Sequence, residues 1–257
     1  MNDFFKIADR EFSSRLFIGT GKFSSSKAMQ EAVIASGSQV VTVALRRVDL
    51  KDPDDHILAH LKPDPRVLIL PNTSGARDHA EAVRLARLAA ASGLPKWIKL
   101  EVTPDPRFLL PDPIETLKAA EILIKEGFKV MPYINADPIL AKHLEEAGCV
   151  TVMPLGSPIG SNRGIRTLEN IKIILEMSGI PVVVDAGLGK PSDAAQAMEL
   201  GASAVLVNTA IATAGNPPEM ARAFKLAVQA GRIAFRNQMP EESNEANASS
   251  PLTGLLQ

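Results

Sequence analysis

The chain has 257 residues, of which 46% are hydrophobic and 22% charged, enough for one large α/β domain or two small ones. Its formal net charge of −1 gives no overall field that would favour nucleic acid or an anionic membrane as a partner. Its one cysteine, Cys149, excludes an intramolecular disulfide and a thiolate zinc cluster.

Short apolar segments alternate with helical stretches along the chain. The predicted strands cover residues 15–19, 39–45, 67–70, 98–102, 129–134, 150–155, 181–185 and 204–208. The predicted helices cover residues 24–35, 57–61, 76–92, 113–126, 138–148, 167–179, 192–200 and 217–236. Asp112, Asp137 and Ser192 are predicted N-caps, and Gly93 and Gly148 are predicted to end their helices.

About eight β-then-α units predict a single-domain α/β fold, the (β/α)8 TIM barrel, over residues 1–240. The strands are continuously apolar, as parallel strands covered on both faces should be. A doubly wound open sheet is the alternative, but the turn at residues 19–23 lacks the GxGxxG pattern of a dinucleotide site. Residues 241–257 are predicted to form a polar, flexible tail whose apolar end could fold back or meet a partner.

The N-terminus has no basic segment followed by an apolar one, and no apolar run reaches about 18 residues. We therefore expect a cytoplasmic protein that neither spans nor binds a membrane. The four histidines show no zinc-protease pattern. We expect neither a metal nor a cofactor.

Lys99 is placed within an apolar predicted strand, WIKLEV at residues 97–102. Because strand side chains alternate, Lys99 and Glu101 should point the same way into an apolar interior. A structural ion pair is one interpretation. The other is a nucleophilic amine whose pKa is lowered by desolvation, which attacks a carbonyl to form an imine while the carboxylate moves protons.

Other polar residues and glycines follow the later strands, at the end of a barrel where active sites lie. Asp185 ends the seventh predicted strand and would supply a second carboxylate, although it could instead cap the following turn. Gly160, Gly187 and the pair Asn208 and Thr209 suit a phosphate site, because glycine lets backbone N–H groups approach an anion. Tight βα turns would also explain the glycines.

Several of these segments together resemble the bacterial thiazole synthases of thiamin biosynthesis. The resemblance covers the chain from about residue 17 to its end and is carried by IGTGK at 18–22, LPNT at 70–73, KLEV at 99–102, VMPLG at 152–156, VDAG at 184–187 and VNTA at 207–210.

The resemblance implies a reaction that the residues alone do not specify. 1-Deoxy-D-xylulose 5-phosphate would form an imine with Lys99, dehydroglycine (2-iminoacetate) would supply carbon and nitrogen, and a ubiquitin-like sulfur-carrier protein thiocarboxylate would supply sulfur. The product would be a thiazole phosphate carboxylate. Glu101 and Asp185 would be the acid–base groups. The sugar-phosphate contacts implied by the resemblance are Gly160, Ala186, Gly187, Asn208 and Thr209. The family also implies a homotetramer and a separate dehydroglycine-producing enzyme.

Two other functions remain open at this point. A Schiff-base aldolase acting on a phosphorylated sugar would share Lys99 and the phosphate loops but would need no sulfur and no protein partner. A non-catalytic barrel scaffold would have no use for a buried amine, so the combination of Lys99, Glu101 and Asp185 argues against it.

Overall fold

The computed structural model describes residues 3–45, 66–240, 243–246 and 248–249. Eight parallel strands form a nearly closed barrel, and a two-stranded antiparallel hairpin precedes it. The hairpin strands are β1 (Phe5–Ile7) and β2 (Arg10–Phe12), and the barrel strands are β3 (Leu16–Gly19), β4 (Val40–Ala44), β5 (Leu68–Asn72), β6 (Trp97–Leu100), β7 (Lys129–Ile134), β8 (Met153–Pro154), β9 (Val183–Asp185) and β10 (Ala204–Val207). The predicted (β/α)8 barrel is confirmed.

Barrel closure occurs at two places. Strand β10 pairs with β3 on one side and with β9 on the other. Strands β8 and β9 meet through isolated bridges, Val152 with Val182 and Leu155 with Asp185. Because the strands are parallel, all their carboxyl ends reach the same face of the barrel.

The helices pack around the outside of the barrel. They are α1 (Ser26–Ser36), α2 (His79–Ala91), α3 (Pro113–Lys125), α4 (Pro138–Ala147), α5 (Leu168–Met177), α6 (Pro191–Glu199), α7 (Thr209–Ala212) and α8 (Pro217–Arg236). Asp112 and Asp137 cap α3 and α4 as predicted, and Gly148 ends α4 in the left-handed conformation. Each aspartate accepts backbone N–H groups that the first helical turn leaves unpaired.

Alternation along the strands divides the core into two layers. Leu16 and Ile18 of β3 pack outward against the helices, whereas Phe17 packs inside the barrel. In β6, Ile98 and Leu100 face the helices and Trp97 faces the interior. Lys99 is two residues beyond Trp97 and therefore shares its inward direction.

The hairpin closes the amino-terminal end of the barrel and was not predicted. Ile7 and Phe12 are buried in the interior cluster, and the rings of Phe12 and Phe17 lie 6.3 Å apart. Strands of three residues are too short to produce a readable alternation pattern.

Two other predictions were wrong in detail. The predicted cap Ser192 lies inside α6, and the carboxylate of Asp193 instead accepts from the backbone N–H groups of Gly189 and Lys190 at 2.9 and 3.1 Å. The eighth strand ends at Val207, because Asn208 is the N-cap of the unpredicted helix α7. The predicted helix at 57–61 lies outside the described residues, as does most of the predicted tail at 241–257.

Candidate active site

A cavity of about 240 Å³ opens at the carboxyl ends of the barrel strands. Strands β3, β4, β5, β6, β9 and β10, or the residues directly after them, all contribute to its wall. The eight site residues expected from the sequence line this cavity together: Lys99, Glu101, Gly160, Asp185, Ala186, Gly187, Asn208 and Thr209.

Lys99 lies between two carboxylates at the bottom of the cavity. Its Nζ is 2.6 Å from Asp185 Oδ2 and 3.0 Å from Glu101 Oε1. The exposed fractions of Lys99, Glu101 and Asp185 are 4%, 4% and 3%. The structure thus brings together three ionisable groups: Lys99 of β6, Glu101 just after β6, and Asp185 of β9. In an otherwise apolar barrel each of these charges requires a partner.

The pKa of Lys99 differs from the sequence-based expectation. Burial alone lowers it, as expected, but the attraction of Asp185 and then of Glu101 outweighs burial and raises the pKa above its ordinary value. The raised pKa favours the charged ammonium form of Lys99. An amine nucleophile at this position must first transfer a proton to a neighbour.

Asp185 is suited to receive that proton. Burial raises the pKa of its carboxyl group above the ordinary value, and the repulsion by Glu101 adds to this, although Lys99 opposes it. Its Oδ2 lies 2.6 Å from Lys99 Nζ, within hydrogen-bond distance. Lys99 and Asp185 are therefore close enough for direct proton transfer from the ammonium to the carboxylate.

Thr73 holds Glu101 in place, a contact that the sequence analysis missed. The Thr73 hydroxyl donates to the Glu101 carbonyl oxygen at 2.7 Å and accepts from the Glu101 backbone N–H at 2.8 Å. Glu101 lies just beyond the end of β6, so this double contact replaces the missing strand pairing. The LPNT segment of the sequence carries this support.

Tyr133 lies beside the lysine and was also missed. Its ring centroid is 5.5 Å from Lys99 Nζ, a distance that favours a cation over the ring face. The side chain is fully buried, and among the described residues its hydroxyl has no hydrogen-bond partner. Burial raises the pKa of Tyr133, so the hydroxyl stays protonated next to the two carboxylates. In the sequence, an aromatic residue in a predicted strand gives no signal beyond core packing.

Loop packing explains Gly187 without reference to an anion. A Cβ at this position would lie 1.9 Å from Ser157 Oγ and 2.7 Å from both the backbone nitrogen and the carbonyl oxygen of Ser157. The φ of Gly187 is +77°, a conformation that side chains disfavour. Gly187 thus lets the loops after β8 and β9 meet at the cavity wall.

We expect Gly187→Ala to destabilise the barrel because Ser157 backbone atoms cannot move aside easily. The added clash should lower the free energy of unfolding by roughly 1–3 kcal/mol. Gly93→Ala is the matched control, since Gly93 also has positive φ, +83°, but nothing lies within 4 Å of its added Cβ. Urea unfolding of both variants measures the difference, and equal losses at the two positions would refute the packing explanation.

Gly160 lines the cavity between two polar side chains. A Cβ there would lie 2.8 Å from Lys22 Nζ and 3.6 Å from Thr209 Oγ1. The missing side chain leaves room between an ammonium and a hydroxyl group. Lys22 belongs to the IGTGK segment, and no role for it was predicted from the sequence.

Asn208 supports the neighbouring loop after β3. In the orientation that its partners require, its amide nitrogen donates to the carbonyl oxygens of Gly21 and Gly19 at 2.8 and 3.2 Å. A Cβ at Gly19 would lie 2.8 Å from Asn208 Cβ and Cγ, so only glycine permits this approach. The Asn208 side chain therefore fixes one wall of the cavity.

Backbone strain is concentrated around the cavity. Lys22, Leu109, Asn162 and Ala186 are non-glycine residues with positive φ, and all four line it. Such conformations cost about 1–3 kcal/mol each and persist where the surrounding structure enforces them. This concentration is typical of functional sites.

The described residues contain no cluster of three or more His, Cys, Asp or Glu side chains placed to hold a metal ion. Within the same part of the chain, no helix has the length and apolar composition needed to cross a membrane.

Comparison with known proteins identifies close relatives. A family model described as "Thiazole biosynthesis protein ThiG" matches residues 6–251. The chain is 68% identical over 250 residues to the thiazole synthase of Syntrophobacter fumaroxidans, covering 97% of each protein. It is 66% identical over 250 residues to thiazole synthase 2 of Syntrophotalea carbinolica, covering 97% of this chain and 96% of that one.

Solved structures add two comparisons. The crystal structure of the Amycolatopsis orientalis BexX/CysO complex contains a chain that superposes with a TM-score of 0.82 at 36% identity, covering 93% of this chain and 98% of that one. A mandelate oxidase superposes with a TM-score of 0.65 at 19% identity, covering 90% of this chain and 77% of that one, which shows a shared fold only.

Proposed function

This chain belongs to the family of the thiazole biosynthesis protein ThiG and is an enzyme of thiazole synthesis. We propose which substrates it uses and how the residues of its cavity convert them. Its substrates are 1-deoxy-D-xylulose 5-phosphate, dehydroglycine and sulfur carried as a protein thiocarboxylate. The product is the thiazole phosphate carboxylate that is used for thiamin.

The observation that carries this proposal is the buried amine between two carboxylates in a cavity open to solvent. Lys99 passes one proton to Asp185, and its neutral Nζ adds to the C2 carbonyl carbon of the sugar. The oxygen takes up the proton held by Asp185 and a second one from the nitrogen, and leaves as water. A protonated imine remains next to Glu101.

Glu101 is the second proton carrier. The imine withdraws electrons from the neighbouring sugar carbon, whose proton a carboxylate can then remove. Glu101 Oε1 lies 3.0 Å from Lys99 Nζ, within reach of a group attached there. Thr73 keeps Glu101 in this position through its two backbone contacts.

The sugar phosphate occupies the side of the cavity formed by Gly160, Ala186, Gly187, Asn208 and Thr209. Gly160 leaves the space beside the Thr209 hydroxyl open, and hydroxyl and backbone N–H groups are ordinary phosphate donors. These residues and Lys99 line the same cavity, so a sugar bound through its phosphate can bring its carbonyl end to the amine.

Sulfur reaches the imine from a separate protein. Support comes from the similar BexX chain, which was solved in complex with a second protein, CysO. We propose that a ubiquitin-like sulfur-carrier protein docks at the cavity mouth and inserts its thiocarboxylate terminus. A separate enzyme supplies dehydroglycine, and the chain assembles as a homotetramer in the cytoplasm.

Reconstitution tests this function. The enzyme is incubated with the sugar phosphate, dehydroglycine and the carrier thiocarboxylate, and the thiazole phosphate carboxylate is measured by mass spectrometry. We expect product only when all three are present. Cleavage of the sugar phosphate without sulfur would instead support a Schiff-base aldolase.

A further inference from the structure

Lys22 is a cation at the cavity wall that the proposed chemistry does not use. Its side chain is exposed, and among the described residues it makes no ion pair. Its Nζ lies 2.8 Å from the point where a Gly160 Cβ would be, with Thr209 Oγ1 3.6 Å from the same point. The ammonium therefore lies against Gly160, and both residues line the cavity.

The charge balance of the cavity favours such a cation. Lys99 is already paired with two carboxylates, Asp185 and Glu101, so these three groups carry one net negative charge when ionised. A phosphate that enters would be repelled by this excess. Lys22 is the other cation among the described lining residues, and its charge offsets the excess.

The backbone holds Lys22 in this position. Thr20 Oγ1 and Thr20 N both donate to the Thr42 carbonyl oxygen, at 3.0 and 3.1 Å, which ties the loop to β4. The Asn208 amide donates to the Gly21 carbonyl oxygen at 2.8 Å. Lys22 follows with φ of 68°, a strained conformation for a residue with a side chain.

We propose that Lys22 binds the phosphate of the substrate and makes the enzyme select phosphorylated over unphosphorylated sugars. This inference rests on the proposed function and adds the residue that supplies its substrate specificity. Lys22 pairs with the phosphate charge, whereas Gly160 leaves the space and Thr209 contributes its hydroxyl.

The test compares Lys22→Met with the wild type. Imine formation at Lys99 is trapped with borohydride over a range of concentrations of 1-deoxy-D-xylulose 5-phosphate and of unphosphorylated 1-deoxy-D-xylulose. Losing one hydrogen bond to a charged group should raise the half-saturating concentration of the phosphorylated sugar roughly 10- to 100-fold. The maximal rate, and the whole curve for the unphosphorylated sugar, should not change.

Two further variants complete the design. Lys22→Arg keeps the charge and should recover most of the affinity for the phosphorylated sugar. Lys27→Met removes an exposed lysine of α1 that lies outside the cavity, and should behave as wild type.

Equal curves for Lys22→Met and wild type, or equal losses for both sugars, would overturn the assignment of Lys22. If the wild type forms no imine with either sugar, the proposed function fails instead. Calorimetric titration with inorganic phosphate then decides the Lys22 assignment alone. Weaker phosphate binding by Lys22→Met than by wild type and Lys27→Met supports it, and equal binding refutes it.

Discussion

Replacing Lys99 by arginine should abolish thiazole phosphate formation while the barrel still folds. Arginine keeps a positive charge that can pair with Asp185 and Glu101, so the buried carboxylates are not left without a partner. It cannot lose its proton at any pH the protein tolerates, so it cannot attack a carbonyl. Product formation measures the loss of activity, and circular dichroism shows whether the variant still folds.

Lys96→Arg is the matched control for this experiment. Lys96 is an exposed neighbour just before β6 whose ammonium contacts the Glu126 carbonyl oxygen, a contact that arginine can keep. It should retain normal turnover. Normal turnover by Lys99→Arg as well would show that Lys99 is a structural ion-pair partner and not the nucleophile.

Asp185→Asn and Glu101→Gln should each slow turnover by roughly 10²–10⁴, the usual contribution of a positioned acid or base. Both amides keep the shape of the carboxylate but cannot take up the proton that Lys99 must release. Neither residue is assigned to the phosphate, so half-saturating concentrations of the sugar phosphate should change little. Steady-state kinetics separate the two effects.

Asp137→Asn provides the control for the carboxylate variants. Asp137 caps α4 outside the cavity, and asparagine is an equally good N-cap, so turnover and stability should stay close to wild type. If Asp185→Asn or Glu101→Gln loses sugar binding but keeps turnover at saturation, that residue binds substrate and does not move protons.

The shared direction of Lys99 and Glu101 followed from strand alternation alone, because residues two apart in a strand face the same side. Asp185 is more than 80 residues away in sequence, yet its approach to Lys99 also followed from the barrel, whose strands all end at one face. The direction in which the Lys99 pKa is shifted could not be inferred from the sequence. It depends on two distances, 2.6 and 3.0 Å, that no pattern in the sequence specifies.

Residues that act across loops were the hardest to predict. Lys22 lies against Gly160 in a loop that Asn208 and Thr20 hold. Thr73 supports Glu101 through a hydroxyl group, which is too common a side-chain feature to reveal this contact in advance. Gly187 was predicted as a phosphate residue, but its packing against Ser157 is a property of two folded loops. These contacts join distant segments and leave no periodic signal in the chain.

The proposed function depends above all on an imine between Lys99 and the sugar phosphate. The most direct test incubates the wild type with 1-deoxy-D-xylulose 5-phosphate, reduces any imine with borohydride and determines the mass of the Lys99 peptide. We predict that this peptide gains the mass of the reduced sugar phosphate and that the corresponding Lys99→Arg peptide gains nothing. An unmodified Lys99 peptide, or an adduct on another lysine, would contradict the account.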